Sequence, residues 1–186
     1  MVVAAVALAV GQKTPDENWQ TYAPDKKLFS MKIPGAPAPA QGGFFETDDE
    51  KIAHRFFSGG IKSRVFNFEI MKAKKRSFLV SILYIQTAKS TKIRPFSKRE
   101  GDGIDQTIGD AVTRSKMDNR STSDGEITQW TYQKDSELYK PGEDAGRVYV
   151  KRSKTATVIV IVDYDYAKSD DPDIGIMLNS LLLRKS

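Results

Sequence analysis

The densest group of carboxylates lies towards the C-terminal end of the sequence. It consists of Asp163, Asp165, Asp170, Asp171 and Asp173. Carboxylate oxygens are the ligands that hard cations such as calcium prefer. The spacing does not fit a calcium-binding loop, which needs a central glycine and a terminal glutamate at fixed offsets. We therefore predict that Asp170, Asp171 and Asp173 cap a following helix, and we expect no metal or other cofactor.

Acid–base chemistry by carboxylates alone is a second possibility. Two carboxyl groups in one cleft can act as general acid and general base, and either Asp48, Asp49 and Glu50 or the Asp163–Asp173 cluster could supply them. Cysteine is absent, so thiol nucleophiles are excluded. The single histidine, His54, excludes a two-histidine metal site, and a serine-type triad would have to use it on a predicted strand. We expect no catalytic residue and keep a carboxylate-based hydrolase as the alternative.

A glycine-rich stretch, Gly101-Asp102-Gly103, precedes a predicted helix, as a phosphate-binding loop would. The lysine and hydroxyl residue of a P-loop are missing, and Asp102 would repel phosphate. We interpret the stretch as a flexible loop that caps a helix.

Basic residues gather in three groups. They are Lys72, Lys74, Lys75 and Arg76; Lys89, Lys92, Arg94, Lys98 and Arg99; and Lys151, Arg152 and Lys154. The first group lies in a predicted turn and is our candidate contact for an anionic partner, with a solvated turn as the alternative. Because the protein is predicted to be exported, we expect no nucleic acid. An anionic polymer, a lipid headgroup or an acidic protein remain as partners.

The prediction of export comes from the N-terminal residues. Val2 to Val10 is a short run of small apolar residues, ending in Ala7-Leu8-Ala9 before polar Gly11-Gln12-Lys13. It is too short to span a bilayer, which takes about 20 residues, but it is typical of a signal-peptide core. We expect residues 1–12 to be a signal-peptide remnant and the protein to work in the periplasm, the cell envelope or outside the cell. A buried first strand is the alternative, and no transmembrane segment is expected.

Length and composition indicate one folded domain. The chain has 186 residues, of which 39% are hydrophobic and 28% are charged, so it can bury a core. We predict an extended lead-in at 13–27 and a single domain at 28–186. The formal charge of +5 makes the surface mildly basic without identifying a partner.

Alternating apolar residues predict that most of this domain is β-strand. The predicted strands are Leu28–Ile33, Ile52–Phe57 in a hairpin with Ser63–Met71, Phe78–Ile85, Glu126–Tyr132, Gly146–Arg152 and Thr155–Val162. The last is the most β-branched and is predicted to be central. Phe78–Ile85 has apolar residues on both faces, so helices are expected to cover the sheet on both sides.

Two helices are predicted to form those layers. The first runs from Asp102 to Lys116 with an apolar stripe of Ile104, Ile108, Ala111 and Val112. The second starts at Ser169-Asp170-Asp171-Pro172, and its predicted buried face is Ile174, Met177, Leu178, Leu181 and Leu182. The predicted fold class is α+β: an antiparallel sheet flanked by helices, in an α/β/α sandwich.

Several motifs occur in a familiar order. They are Leu28-Phe29-Ser30-Met31-Lys32-Ile33-Pro34-Gly35-Ala36-Pro37, the middle helix, Gly125-Glu126, Gly146-Arg147-Val148-Tyr149-Val150, Val158 to Val162, and Ile176-Met177-Leu178-Asn179-Ser180-Leu181. Over about Trp19 to Leu183 this order resembles the PsbP-like superfamily. The resemblance implies an antiparallel sheet between helices, and a binding or assembly subunit rather than an enzyme.

The functional expectation follows from the missing catalytic residues and the resemblance. We expect a non-enzymatic, exported binding or assembly domain that presents a sheet edge or groove to an unknown protein or anionic polymer. A small-ligand carrier is a further alternative, and it would need an apolar pocket.

Overall fold

The computed structural model describes residues 19–24, 28–40, 60–72, 75–87, 92–108, 112–134, 145–165 and 171–184. Several predictions lie outside these residues. They concern the signal-peptide remnant at 1–12, the strand Ile52–Phe57 with His54, the acidic residues Asp48, Asp49 and Glu50, and the residues Lys74, Lys89, Ser169 and Asp170.

Strands make up most of the described chain. They are β1 (Trp19–Tyr22), β2 (Phe29–Pro34), β3 (Pro37–Pro39), β4 (Gly60–Lys72), β5 (Lys75–Thr87), β6 (Val112–Arg114), β7 (Asp118–Thr122), β8 (Gly125–Lys134), β9 (Ala145–Arg152), β10 (Ala156–Tyr164) and β11 (Leu182–Leu183). Two helices accompany them in the same residues, α1 (Lys98–Ile108) and α2 (Pro172–Asn179). Neither helix is long and apolar enough to cross a membrane.

The described strands pair antiparallel in two sheets. The larger sheet has eight strands in the order β3-β4-β5-β10-β9-β8-β6, with β7 also paired to β8. The smaller sheet has the order β1-β2-β11. The prediction of a central β-branched strand is confirmed, because β10 lies between β5 and β9.

One face of the large sheet is covered by the small sheet together with α2. Phe29, Met31 and Ile33 alternate along β2, so that all three are buried in one cluster with side chains of β4, β5 and β10. The α2 residues Ile174 and Met177 join the same cluster. Burial of these apolar side chains is the main force that holds the two sheets together.

The opposite face is covered by α1 and the segment that precedes it. Phe96 and Ile104 are buried there against Trp130, Val148 and Val150 of the large sheet. The rings of Phe96 and Trp130 stack with centroids 6.3 Å apart. A second core therefore lies between α1 and the half of the sheet around β8 and β9.

The predicted α+β class, an α/β/α sandwich, is wrong. The described residues are mainly β-strand and form two antiparallel sheets with two short helices. Trp19–Tyr22, expected in the lead-in, pairs with β2, and β2 joins a second sheet instead of lying beneath a helical layer. The two-residue alternation of β2 makes one strand face apolar, and another sheet buries that face as well as a helix would.

The first helix differs from its prediction at both ends. It begins at Lys98 rather than Asp102 and ends at Ile108, and Val112–Arg114 is strand β6. Ser97 caps it. The Ser97 hydroxyl accepts from the Glu100 main-chain N–H at 3.3 Å, and the Glu100 carboxylate accepts from the Ser97 main-chain N–H at 2.7 Å. This reciprocal pair is a capping box, and it fixes the start of the helix.

The start of the second helix is as predicted. The Asp171 carboxylate accepts from the Asp173 main-chain N–H at 2.9 Å, and Pro172 occupies the first turn. The helix ends at Asn179, earlier than predicted, and Leu182 belongs to β11. Leu182 is 60% exposed, so its predicted place on the buried helix face is wrong.

A β-bulge shapes one edge of the large sheet. Val112–Arg114 and Asp118–Thr122 both pair with β8, but residues 115–117 on the edge face only residues 130 and 131 of β8. The Ser115 main-chain N–H still donates to the Thr131 carbonyl at 2.9 Å. The extra residue breaks the ladder and twists the edge locally. At the other edge lies β3, whose ends are Pro37 and Pro39.

Candidate functional site

The predicted anionic-partner contacts lie at the end of the β4–β5 hairpin. Lys72 of β4 pairs with Lys75 of β5, and Arg76 pairs with Met71, so the backbone brings three of the four residues to one turn. Lys74 lies outside the described residues, as do the side chains of the other three. Contact of these residues with an anionic partner stays a prediction.

The acidic cluster divides into residues with separate structural roles. Asp171 caps α2, as predicted, and Asp173 lies in the first turn of that helix. Asp163 is buried on β10, where its carboxylate accepts a hydrogen bond from the Tyr132 hydroxyl at 2.7 Å and pairs with the Lys134 ammonium. Among the described residues, no group of three or more histidine, cysteine or acidic side chains could hold a metal ion.

Tyr132 is a buried acid held in its protonated form. Burial raises its pKa well above the usual value, and the neighbouring Asp163 charge raises it further. The phenol therefore serves as a hydrogen-bond donor to Asp163 and is a poor general base at neutral pH.

The glycine-rich stretch is helical rather than a loop. Gly101, Asp102 and Gly103 lie inside α1, so the interpretation as a capping loop is wrong. The Asp102 carboxylate pairs with the Arg114 guanidinium at 2.6 Å, which joins α1 to β6. Asp105, one turn further along, pairs with the same guanidinium at 2.9 Å.

Two residues of the third basic group, Lys151 and Arg152, are buried, whereas Lys154 is exposed. The Arg152 side chain is 2% exposed and donates to the Glu100 carboxylate at 3.0 Å and to the Arg94 carbonyl at 3.0 Å. Its guanidinium lies 4.9 Å from the centre of the Phe96 ring. Arg152 thus connects β9 to the α1 side of the sheet.

Glu100 is the acidic member of this network. Burial alone would raise its pKa, but hydrogen bonds from Arg94 and Ser97 and the charge of Arg152 outweigh burial and lower the pKa to about 2. The carboxylate is therefore ionised at any physiological pH and acts as a structural anion.

Lys151 forms a similar connection on the other face. Its ammonium donates to the Leu181 carbonyl at 3.1 Å and pairs with the Asp124 carboxylate at 2.9 Å. The hydrogen bond from Lys151 lowers the pKa of Asp124. This buried lysine ties the β7–β8 turn to the chain between α2 and β11.

An open groove of about 770 Å³ lies between the small sheet and α2. The sheet contributes Thr21 of β1, Ser30 and Lys32 of β2, and Leu182 of β11. The helix contributes Pro172, Gly175, Ile176 and Asn179, which recur every three or four residues and so share one face of α2. The opposite face carries the buried Ile174, Met177 and Leu178, so α2 presents a core face and a groove face.

A hydrogen-bond relay holds the groove walls together. The Lys32 main-chain N–H donates to the Ser180 hydroxyl at 2.7 Å, and that hydroxyl donates to the Met177 carbonyl at 2.6 Å. Ser180 therefore fixes the end of α2 against β2. A Cβ added at Gly175 would meet no atom within 4 Å, so the groove is open above this glycine.

Sequence reasoning missed this site. From the sequence we predict that Leu182 is buried. We do not predict a second helix face formed by Pro172, Gly175, Ile176 and Asn179. The helical spacing could have indicated this face. Small, polar and apolar residues alternate along it, so this side of α2 has no continuous apolar stripe.

No model of a known protein family matches the chain, and a search of the curated proteins found no relative. The resemblance to the PsbP-like superfamily stays a prediction from the motifs.

Proposed function

We propose that the protein is a non-enzymatic binding or assembly domain that works outside the cytoplasm and holds a segment of a partner protein in the groove. The observation that carries the proposal is the groove itself. Apolar side chains of β11 and α2 are left uncovered there, beside the charged side chain of Lys32. An apolar surface of this kind is energetically unfavourable in water and is typical of an interaction site.

The positions of the charged residues agree with a binding role. Glu100, Asp163 and Lys151 each have a structural partner that links two parts of the fold. None of the three lines the groove. Such paired groups contribute to the stability of the fold, whereas a catalytic acid or base needs access to a substrate.

The open shape of the groove favours a polypeptide segment over an enclosed small molecule. Small-ligand pockets bury about 70–90% of a ligand's surface. A surface groove between a helix and a sheet buries only one side of its occupant, which is how peptide segments are commonly recognised.

Site-specific photocrosslinking in the producing cells tests the proposal. A photoreactive amino acid at Asn179, inside the groove, is expected to form one stoichiometric protein adduct. The same amino acid at Gln106, exposed on α1, is expected to form none.

A blocking variant makes the test specific to the groove. Gly175→Leu places a bulky side chain in the groove at a position where the Cβ meets no atom within 4 Å, and it should abolish the adduct at Asn179. Gly103→Leu is the matched control, because a Cβ at Gly103 in α1 also meets no atom within 4 Å. Absence of any groove-dependent adduct at Asn179 would contradict the proposal.

A further inference from the structure

We infer that the groove recognises an extended, apolar segment of a partner protein that carries a carboxylate opposite Lys32. This inference rests on the proposed function and adds the chemistry of the partner to it. Three properties of the groove lead to it: its charge, its apolar walls and its small residues.

The charge of the groove is positive. Lys32 is the charged residue among those that line it, and its side chain is exposed. No carboxylate lies within ion-pair distance of the Lys32 ammonium in the part of the chain that the structure describes. The Asp171 carboxylate, one residue before the groove-lining Pro172, caps α2. A carboxylate from a partner would therefore form an ion pair that the described residues do not supply.

The apolar walls select a segment with apolar side chains. Leu182 stands on one side of the groove and Ile176 on the other, and Leu182 is more than half exposed in the described chain. Covering both with apolar side chains removes hydrocarbon surface from water. A wholly charged segment would leave these apolar side chains exposed to water and would bind through Lys32 alone.

Small residues allow a main chain to approach closely. Gly175 and Ser30 face the groove from the helix and the sheet, and Thr21 and Asn179 add side-chain hydrogen-bonding groups. Hydroxyl and amide groups of this kind can bond the exposed N–H and C=O groups of an extended chain. A helical segment would have those groups already bonded within itself.

Selection from a display library of random seven-residue peptides tests the inference with purified protein. The library is selected on the wild-type protein, and peptides that also bind Gly175→Leu are discarded. The remaining peptides are expected to be enriched in both apolar and acidic residues. Their affinities are then measured by fluorescence polarisation, and Gly175→Leu is expected to weaken binding at least tenfold.

Charge reversal identifies the role of Lys32. Lys32→Glu is expected to lose the acidic peptides and to select basic ones in a second round, since only the sign of the groove charge changes. Lys154→Glu, an exposed lysine in the turn between β9 and β10, is the charge-matched control and should keep the wild-type preference. Circular dichroism spectra confirm that each variant is folded.

The outcomes separate this inference from the proposed function. Groove-dependent peptides without an acidic preference, or a preference unchanged by Lys32→Glu, would overturn the inference, as would a library without groove-dependent binders. If the Asn179 adduct still forms in cells, the proposed function stands. If the otherwise unaltered protein forms no groove-dependent adduct at Asn179, the proposed function is refuted and the inference loses its basis.

Discussion

The Arg152 guanidinium on β9 and the Glu100 carboxylate on α1 form a hydrogen bond of 3.0 Å across the junction between helix and sheet. The Arg152 side chain is 2% exposed and that of Glu100 is 11% exposed, so both charges are largely removed from water. Such a pair stabilises the fold only while both partners are present and ionised.

Protonation of Glu100 should therefore destabilise the protein in acid. The pKa of Glu100 is about 2 in the folded protein, against an ordinary value of 4.5, so its contribution to stability is complete above pH 4.5 and is lost as the pH falls towards 2. The shift corresponds to about 3 kcal/mol. Urea unfolding at pH 7 and pH 2.5 should show a smaller pH-dependent loss of stability in Glu100→Gln than in the wild type.

Two further comparisons test the role of Glu100. Glu100→Gln should also lower the free energy of unfolding at pH 7 by about 3 kcal/mol, because the buried Arg152 guanidinium loses the neighbouring negative charge. Glu126→Gln is the control, since the Glu126 carboxylate bonds only the exposed Ser121 hydroxyl among the interactions described. Equal pH dependence in the wild type and Glu100→Gln would contradict the assignment.

The Tyr132–Asp163 hydrogen bond predicts a loss of stability in alkali. The folded-state pKa of Tyr132 is raised above 10.0, so the unfolded chain releases the phenol proton first and stability falls as the pH rises above about 10. Tyr132→Phe should reduce that alkaline loss, measured by urea unfolding between pH 8 and pH 11. An unchanged alkaline slope in this variant would show that Tyr132 does not cause it.

Asp163→Asn should lower the free energy of unfolding at pH 7 more than Tyr132→Phe does. The aspartate variant removes the Asp163 charge from beside the largely buried Lys134 ammonium, an effect of about 3–5 kcal/mol. The phenylalanine variant loses one hydrogen bond to a charged group, worth about 1.5–3 kcal/mol. Guanidinium unfolding of both variants gives the order, and the reverse order would contradict this account of the network.

Two glycine-to-alanine variants should have opposite effects on the stability of the protein. A Cβ at Gly146 would lie 2.2 Å from the Tyr132 ring, so Gly146→Ala should destabilise the protein by about 1–3 kcal/mol. At Gly175 a Cβ meets no atom and the backbone is helical, so Gly175→Ala should stabilise the protein by up to about 1 kcal/mol. Thermal unfolding of both variants measures the difference, and a shift of the same sign in both would contradict it.

Ser180→Ala should loosen the groove. The variant removes the acceptor of the Lys32 main-chain N–H and the donor to the Met177 carbonyl, which should cost about 1–2 kcal/mol. Ser121→Ala, at an exposed hydroxyl bonded to Glu126, should change stability by less than about 0.5 kcal/mol. Hydrogen exchange of the Lys32 amide should accelerate in Ser180→Ala alone, and unchanged exchange there would contradict the relay.

The sequence predicted those elements whose signal is local. The alternation at Phe66, Phe68 and Ile70 and the β-branched run in β10 need only near neighbours to be interpreted, and both correspond to strands in the structure. The start of α2 was also predictable, because Asp171 and Pro172 act on the backbone within one turn.

The second sheet could not be predicted because its pairing is not local. β2 pairs with β11 at the far end of the chain, and no short-range pattern specifies that contact. The first helix was misplaced for a different reason. Ile104, Ile108 and Val112 fit a helical period, yet Val112 is in a strand, and the true start was marked by Ser97 and Glu100, whose capping-box spacing was overlooked.

The burial of individual charged side chains likewise could not be predicted from the sequence. Arg152 lies in a run of basic residues typical of a solvated surface, but Glu100 and Phe96 reach it from a different part of the chain. The groove has the same origin, since its two walls come from the two ends of the described chain and meet only in the folded protein.

The two borders of the eight-stranded sheet bear on self-association. Proline has no N–H to offer a neighbouring strand, and Pro37 and Pro39 stand at the ends of β3. The other border is interrupted by the bulge and carries the charged residues Arg114, Lys116, Asp118 and Arg120. Both arrangements disfavour edge-to-edge pairing between molecules, so neither edge of the described sheet is a continuous template for fibril growth.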